Sequence, residues 1–208
     1  MTDTITAKRS VRLDDLAVEA ESPRVGSEKR LFTFDKSLES IKARRFQRHL
    51  RSYEAFKMLI NAIENPNSRY KSISDDMLSS YGEWFSLALI QNNGRLTTYD
   101  DPFNLVFKND EYLVRGHKLI HSRERTFKIP REFRDGGYIE LKKLPKGLVT
   151  LLYSRPANRL PVEIRNNSGL YLPQEGILRP CGRGYDFGDF DVGGYYDRAS
   201  RGVRVAKN

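Results

Sequence analysis

The chain is poor in the residues that staple small proteins or hold metals. Its 208 residues include one cysteine, three histidines and one tryptophan. A lone Cys181 excludes an intramolecular disulfide framework and any Cys-x-x-Cys pair. No apolar run approaches the roughly 20 residues that cross a bilayer as a helix. The longest candidate, Trp84 to Ile90, is far shorter. The opening residues MTDTITAKRS have no hydrophobic signal core. These absences lead to the expectation of an intracellular protein, cytoplasmic or nuclear. The phosphate-cradling pattern Gly-x-x-x-x-Gly-Lys-Ser/Thr and the dinucleotide pattern Gly-x-Gly-x-x-Gly after a strand are also missing. No cofactor, metal or catalytic residue is expected.

Acid is the other shortage. Thirty-six Lys and Arg face 27 Asp and Glu, a net charge of +9. The excess is patchy. Residues 36–57 hold seven basic and two acidic side chains, and residues 108–146 hold eleven and six. Between them, residues 58–107 hold three basic and six acidic side chains. Concentrated positive charge steers acidic partners better than diffuse charge does. The partners expected are RNA, DNA or a nucleoprotein, with an anionic membrane surface and a second copy of the chain as alternatives.

Leu, Ile, Val and Phe number 54, enough for a folded core. Residues 1–28 show no sustained apolar period and read as a flexible arm. RLFTF (30–34) reads as a short strand. Asp35 and Ser37 offer helix-capping side chains before Leu38, Ile41, Phe46, Leu50, Tyr53, Phe56, Ile60 and Ile63. That spacing predicts one long amphipathic helix, ended by Pro66. A second helix is predicted from Ser74 to Gln91 and stopped by Asn92, Asn93 and Gly94. Beyond Gly94 the stretches 103–107, 111–115, 125–129, 138–142 and 148–153 read as strands separated by turns, with 162–165 and 170–172 as further short ones. The order predicts an α+β fold, two N-terminal helices followed by a mostly antiparallel sheet, over a single domain at 29–180. Residues 181–208 read as a tail, six glycines and five aromatics lying within 182–202. Tyr185, Phe187, Phe190, Tyr195 and Tyr196 would make its stacking contacts.

The main candidate site is KARRFQRHLR (42–51). On a helix, Arg44, Arg48 and Arg51 share a face, with Lys42 and Arg45 beside them. Forked guanidinium donors match phosphate oxygens and stay charged. Arg123, Arg125, Lys128, Arg131 and Arg134 would extend the surface, with Arg123, Arg125 and Phe127 on one side of a strand. Three lesser candidates follow. Asp135, Glu140 and Lys142 have the residue types of a metal-dependent nuclease, Glu140 and Lys142 sharing a strand face. His117 and His121 have metal spacing only on a helix. Cys181 lies between Arg179 and Arg183, which favour a thiolate.

The stretch FKIPREFRDGGYIELKKLPKGLVTLLY (127–153) resembles the sheet region of rhabdovirus-type matrix proteins. The likeness lies in Ile129-Pro130 and Phe133-Arg134 before two strands, a handful of residues, with an N-terminal arm, upstream helices and basic balance in common. It implies a structural assembly protein without an active site that binds nucleocapsid and membrane. The leading expectation is a non-enzymatic basic protein that binds nucleic acid or a nucleoprotein through its Arg-rich helix. A self-associating assembly protein is the alternative, and a metal-dependent nuclease the third.

Overall fold

The computed structural model describes residues 36, 37, 39, 48–78, 82–100, 124–166 and 168–183, and the backbone of short strands within 10–29 and 190–207. In chain order come β1 (Ser10–Leu13), β2 (Leu16–Glu19), β3 (Arg24–Val25), β4 (Glu28–Lys29) and β5 (Arg48–His49). Helices α1 (Ser52–Glu64) and α2 (Lys71–Leu78) follow, then β6 (Glu83–Asn92), β7 (Arg95–Asp100), β8 (Glu124–Lys128) and β9 (Gly137–Glu140). Helices α3 (Lys146–Tyr153) and α4 (Val162–Asn166) precede β10 (Gly169–Leu172) and β11 (Arg179–Arg183). The last strands are β12 (Phe190–Asp191), β13 (Gly202–Val203) and β14 (Val205–Lys207). The fold is α+β, as the sequence order implied. Among the described residues, no helix is long and apolar enough to cross a membrane.

The main sheet runs β8-β7-β6-β11-β12-β10-β9, with β13 also paired to β6. Its ladders are antiparallel except β10 with β12 and β13 with β6. A second sheet, β1-β2-β14-β5, joins both ends of the chain to the segment before α1. Strands therefore lie in both regions read from sequence as an arm and a tail. The predicted strands at 30–34, 103–107 and 111–115 lie outside the described residues.

Several elements differ from the sequence expectation. The predicted long first helix is not continuous: residues 36, 37 and 39 are helical, but 48–49 pair with β14 and α1 begins at Ser52. No local pattern reveals a partner that lies more than 150 residues away. The second predicted helix is split. Its start is α2, but Trp84 to Gln91 form the central strand β6, buried on both faces. A continuous apolar run has no period that separates a buried strand from a buried helix. The residues read as its stop, Asn93 and Gly94, are a two-residue hairpin turn with φ of 51° and 71°, the backbone that Asn-Gly favours. LVTLLY (148–153) is not a strand but most of α3, with Leu148, Val149, Leu151 and Leu152 buried on one face. That removes one of the two strands behind the matrix-protein likeness. VEIR (162–165) is likewise helical.

Helices α1 and α3 pack on one face of the main sheet. Phe56 and Tyr153 meet edge to face, ring centres 4.8 Å apart. The Tyr153 hydroxyl donates to the Gly169 carbonyl at 3.1 Å, tying α3 to β10. Gly169 has a second role. A Cβ there would lie 2.4 Å from the Ile139 carbonyl and 2.5 Å from the Tyr138 ring. The Tyr138 ring lies across the glycine and meets Tyr171, its partner in the β9–β10 register. Gly169→Ala must therefore push β9 away from β10. We expect a loss of about 1–3 kcal/mol in denaturant unfolding, the usual cost of overpacking. A variant as stable as the parent would contradict this packing.

Candidate functional site

Of the arginine face expected on the first helix, Arg48 and Arg51 do not share a helix face. Lys42, Arg44 and Arg45 lie outside the described residues. Arg48 sits in β5 and is buried, its guanidinium forked onto Glu54 at 2.8 and 2.7 Å. Glu54 also accepts the backbone N–H of Arg51 at 2.9 Å. That is half of a capping box: a side chain in the first turn takes an amide the helix cannot satisfy. Arg51 is thus the residue at which α1 starts, with extended backbone (φ −73°, ψ 150°). Arg48 and Arg51 fall on different elements, and Arg48 is committed to the interior.

Arg51 instead opens onto a cleft of about 530 Å³. Helix α1 lines it with Tyr53 and Lys57, one turn apart on the same side. Strand β8 supplies Arg125. Helix α3 supplies Thr150 and Leu151, and its C-terminal end supplies Ser154 and Arg155. Among the described residues, four cations and no carboxylate line this space. The strand period explains Arg125. It shares a face with Phe127, which packs on the core and stands 3.2 Å from where a Gly147 Cβ would be. The other face carries Thr126, whose hydroxyl meets that of Thr97 at 3.0 Å. Alternation predicted this placement of Arg125.

The cleft is partly pre-ordered. Arg51 Nη1 donates to the Tyr53 hydroxyl at 3.1 Å. Arg155 is forked onto Glu64 at 2.5 and 2.9 Å. Ser154 ends α3 in the left-handed region, φ 62°, a conformation rare for residues with a Cβ. It turns the chain so that Arg155 leaves the helix toward α1. Tyr53, Lys57 and Arg155 were not among the expected site residues. Tyr53 and Lys57 could have been found from their i, i+4 spacing. Arg155 could not, since its position depends on α3 being a helix.

The remaining candidates do not join this cleft. Arg123 lies outside the described residues. Lys128 pairs in register with Arg95 at the far end of the hairpin. Arg131 is exposed in a 3-10 turn. Arg134 lies over the β6–β7 turn, its Nε 3.3 Å from where a Gly94 Cβ would be. Gln91 fastens that turn by donating to the carbonyls of Phe133 (3.0 Å) and Arg134. Of the tail aromatics, Tyr185, Phe187, Tyr195 and Tyr196 lie outside the described residues. The backbone of Phe190 is paired in β12, between β11 and β10.

Glu140 and Lys142 do not share a strand face. Strand β9 ends at Glu140 and Lys142 lies in a following 3-10 turn, where its ammonium meets the Glu140 carboxylate at 2.5 Å. Among the described residues, no three His, Cys, Asp or Glu side chains come together as a metal site, so Asp135 and Glu140 form no such group. His117 and His121 lie outside the description. The Cys181 thiol is buried, which withholds it from the chemistry its arginine neighbours would favour. One pairing escaped sequence reading: Ser37 Oγ and His49 Nε2 are 2.8 Å apart. The contact has the length of a nucleophile–base pair. Both residues are fully buried, at 0% and 1% exposure, so it serves as a link between segments.

Two outcomes follow. Glu54→Gln takes the forked carboxylate charge away from the buried Arg48 and should cost about 3–5 kcal/mol in denaturant unfolding. Adding Arg48→Met should recover part of that loss, and no recovery would contradict the assigned cause. Second, the hydrogen bond and charge of Lys142 hold the Glu140 carboxyl below its ordinary range. A lowered folded value makes this contribution present above the unfolded value and lost as pH falls through the folded one. Lys142→Ala should move the Glu140 midpoint upward in a carboxyl-carbon NMR titration. An unmoved midpoint would argue against Lys142 as the cause.

Compared with protein-family models, curated proteins and solved structures, the chain shows no significant match in any of the three.

Proposed function

We propose that this chain is a nucleic-acid-binding protein without enzymatic activity, and that the cleft between α1, β8 and α3 is its phosphate-contacting surface. The convergence of Arg51, Lys57, Arg125 and Arg155 on one cleft of the described structure carries the reading. Arg51 and Arg125 come from the two separate basic blocks of the sequence. A concentration of positive charge on one concave surface attracts a polyanion. Three of the four are arginines, whose forks fit phosphate oxygens. The overall charge of +9 favours the same class of partner.

The test is a salt series of binding to RNA, duplex DNA and anionic vesicles, measured in parallel. Nucleic acid should bind and weaken steeply with salt, because each neutralised phosphate releases counterions. Lys57→Ala with Arg125→Ala should weaken binding and flatten the log–log salt dependence by about two, roughly one per lost contact. Both side chains are exposed, so the double variant should remain folded. Affinity unchanged in that variant would remove the cleft from the reading. Binding to vesicles alone would replace it with the membrane-associated assembly protein.

A further inference from the structure

The shape of the cleft narrows the class of nucleic acid, an inference that rests on the reading above. A duplex is a wide, stiff rod that meets proteins along projecting elements or broad surfaces. The four cations here line the walls of a concavity of about 530 Å³. That lies within the range of small-ligand sites, roughly 300–1,000 Å³. It suits about one nucleotide and cannot admit a helix. Between Arg51 and Lys57 stands Tyr53, a partly exposed residue whose hydroxyl is held by Arg51 Nη1 at 3.1 Å. Leu151 adds an apolar surface from the α3 side. Proteins that bind single strands combine a positive groove for the backbone with aromatic rings for the bases. Both components occur here within one cleft, and the ring is already oriented.

We propose that the cleft seats an unpaired nucleotide of single-stranded nucleic acid, its phosphate on Lys57 and Arg125 and its base against Tyr53. A paired base cannot reach the ring without leaving its stack, so duplex is disfavoured at this site. Selectivity then comes from access to the π face and not from the charge, which both forms share.

The experiment compares full-length protein binding to a labelled ten-nucleotide RNA, the DNA strand of the same sequence and the corresponding DNA duplex. The single strands should bind about tenfold or more tightly than the duplex, the scale of one base–aromatic contact. Tyr53→Leu, which keeps apolar bulk but removes the ring, should weaken single-strand binding about tenfold. Duplex binding should not change. Tyr53→Phe keeps the ring and should stay within about twofold of the parent. Superimposable thermal melts would establish that both variants fold, and the comparison of strands with duplex needs no variant. Duplex bound as tightly as single strand, or Tyr53→Leu without effect on the single strands, overturns this inference and leaves the nucleic-acid reading standing. Failure to bind any of the three overturns both.

Discussion

The carboxylate of Glu54 is the point on which the architecture of the site depends. It accepts both arms of the Arg48 guanidinium and the amide of Arg51. One side chain therefore closes strand β5 and opens helix α1. A charge buried without such a partner would cost several kcal/mol. The start of α1 is thus tied to the ladder that Arg48 and His49 make with β14. Leu50 continues the connection, its carbonyl accepting the Ser86 amide of β6 at 3.0 Å. The small sheet, the first helix and the centre of the main sheet meet within three residues.

From that node the cleft is a matter of geometry. Once α1 starts at Ser52, Tyr53 and Lys57 must face the same way, and Arg51 sits at the rim above them. The Phe56–Tyr153 contact sets α3 beside α1, and Phe127 against Gly147 sets β8 beside α3. Each cation is brought in by a buried neighbour on its own element. The arrangement is tolerable because water screens it. Unit charges as close as about 4 Å interact by only about 1 kcal/mol in bulk water, and Glu64 offsets Arg155. The same cations would interact far more strongly with a bound phosphate that displaced the water between them.

Much of the fold class was legible. The strands at 125–129, 138–142 and 170–172 alternate clearly, and β8, β9 and β10 stand there. The 3.6 period from Phe56 to Ile63 marks α1. Misread elements share one physical feature: they are buried on more than one side or bounded by a remote partner. Strand β6 has no polar face and hence no period. Helix α3 is eight residues of mostly aliphatic chain, short enough to pass for a strand until Thr150 is seen facing out. The Asn93-Gly94 pair ends either element and says nothing about which one it ends.

The candidate site divides along the same line. Composition and alternation alone determined that the protein is basic in two blocks and that Arg125 shares a strand face with Phe127. Charge and strand period are local properties, carried by neighbouring residues whatever the rest of the chain does. Only the tertiary structure decided that Arg48 turns inward to Glu54 while Arg51 turns outward. It alone joined Arg51 to Arg125 and added Tyr53, Lys57 and Arg155 to them. Those outcomes depend on which segments pair across the chain, β5 with β14 above all, and pairing at that distance is set by packing that no local pattern records.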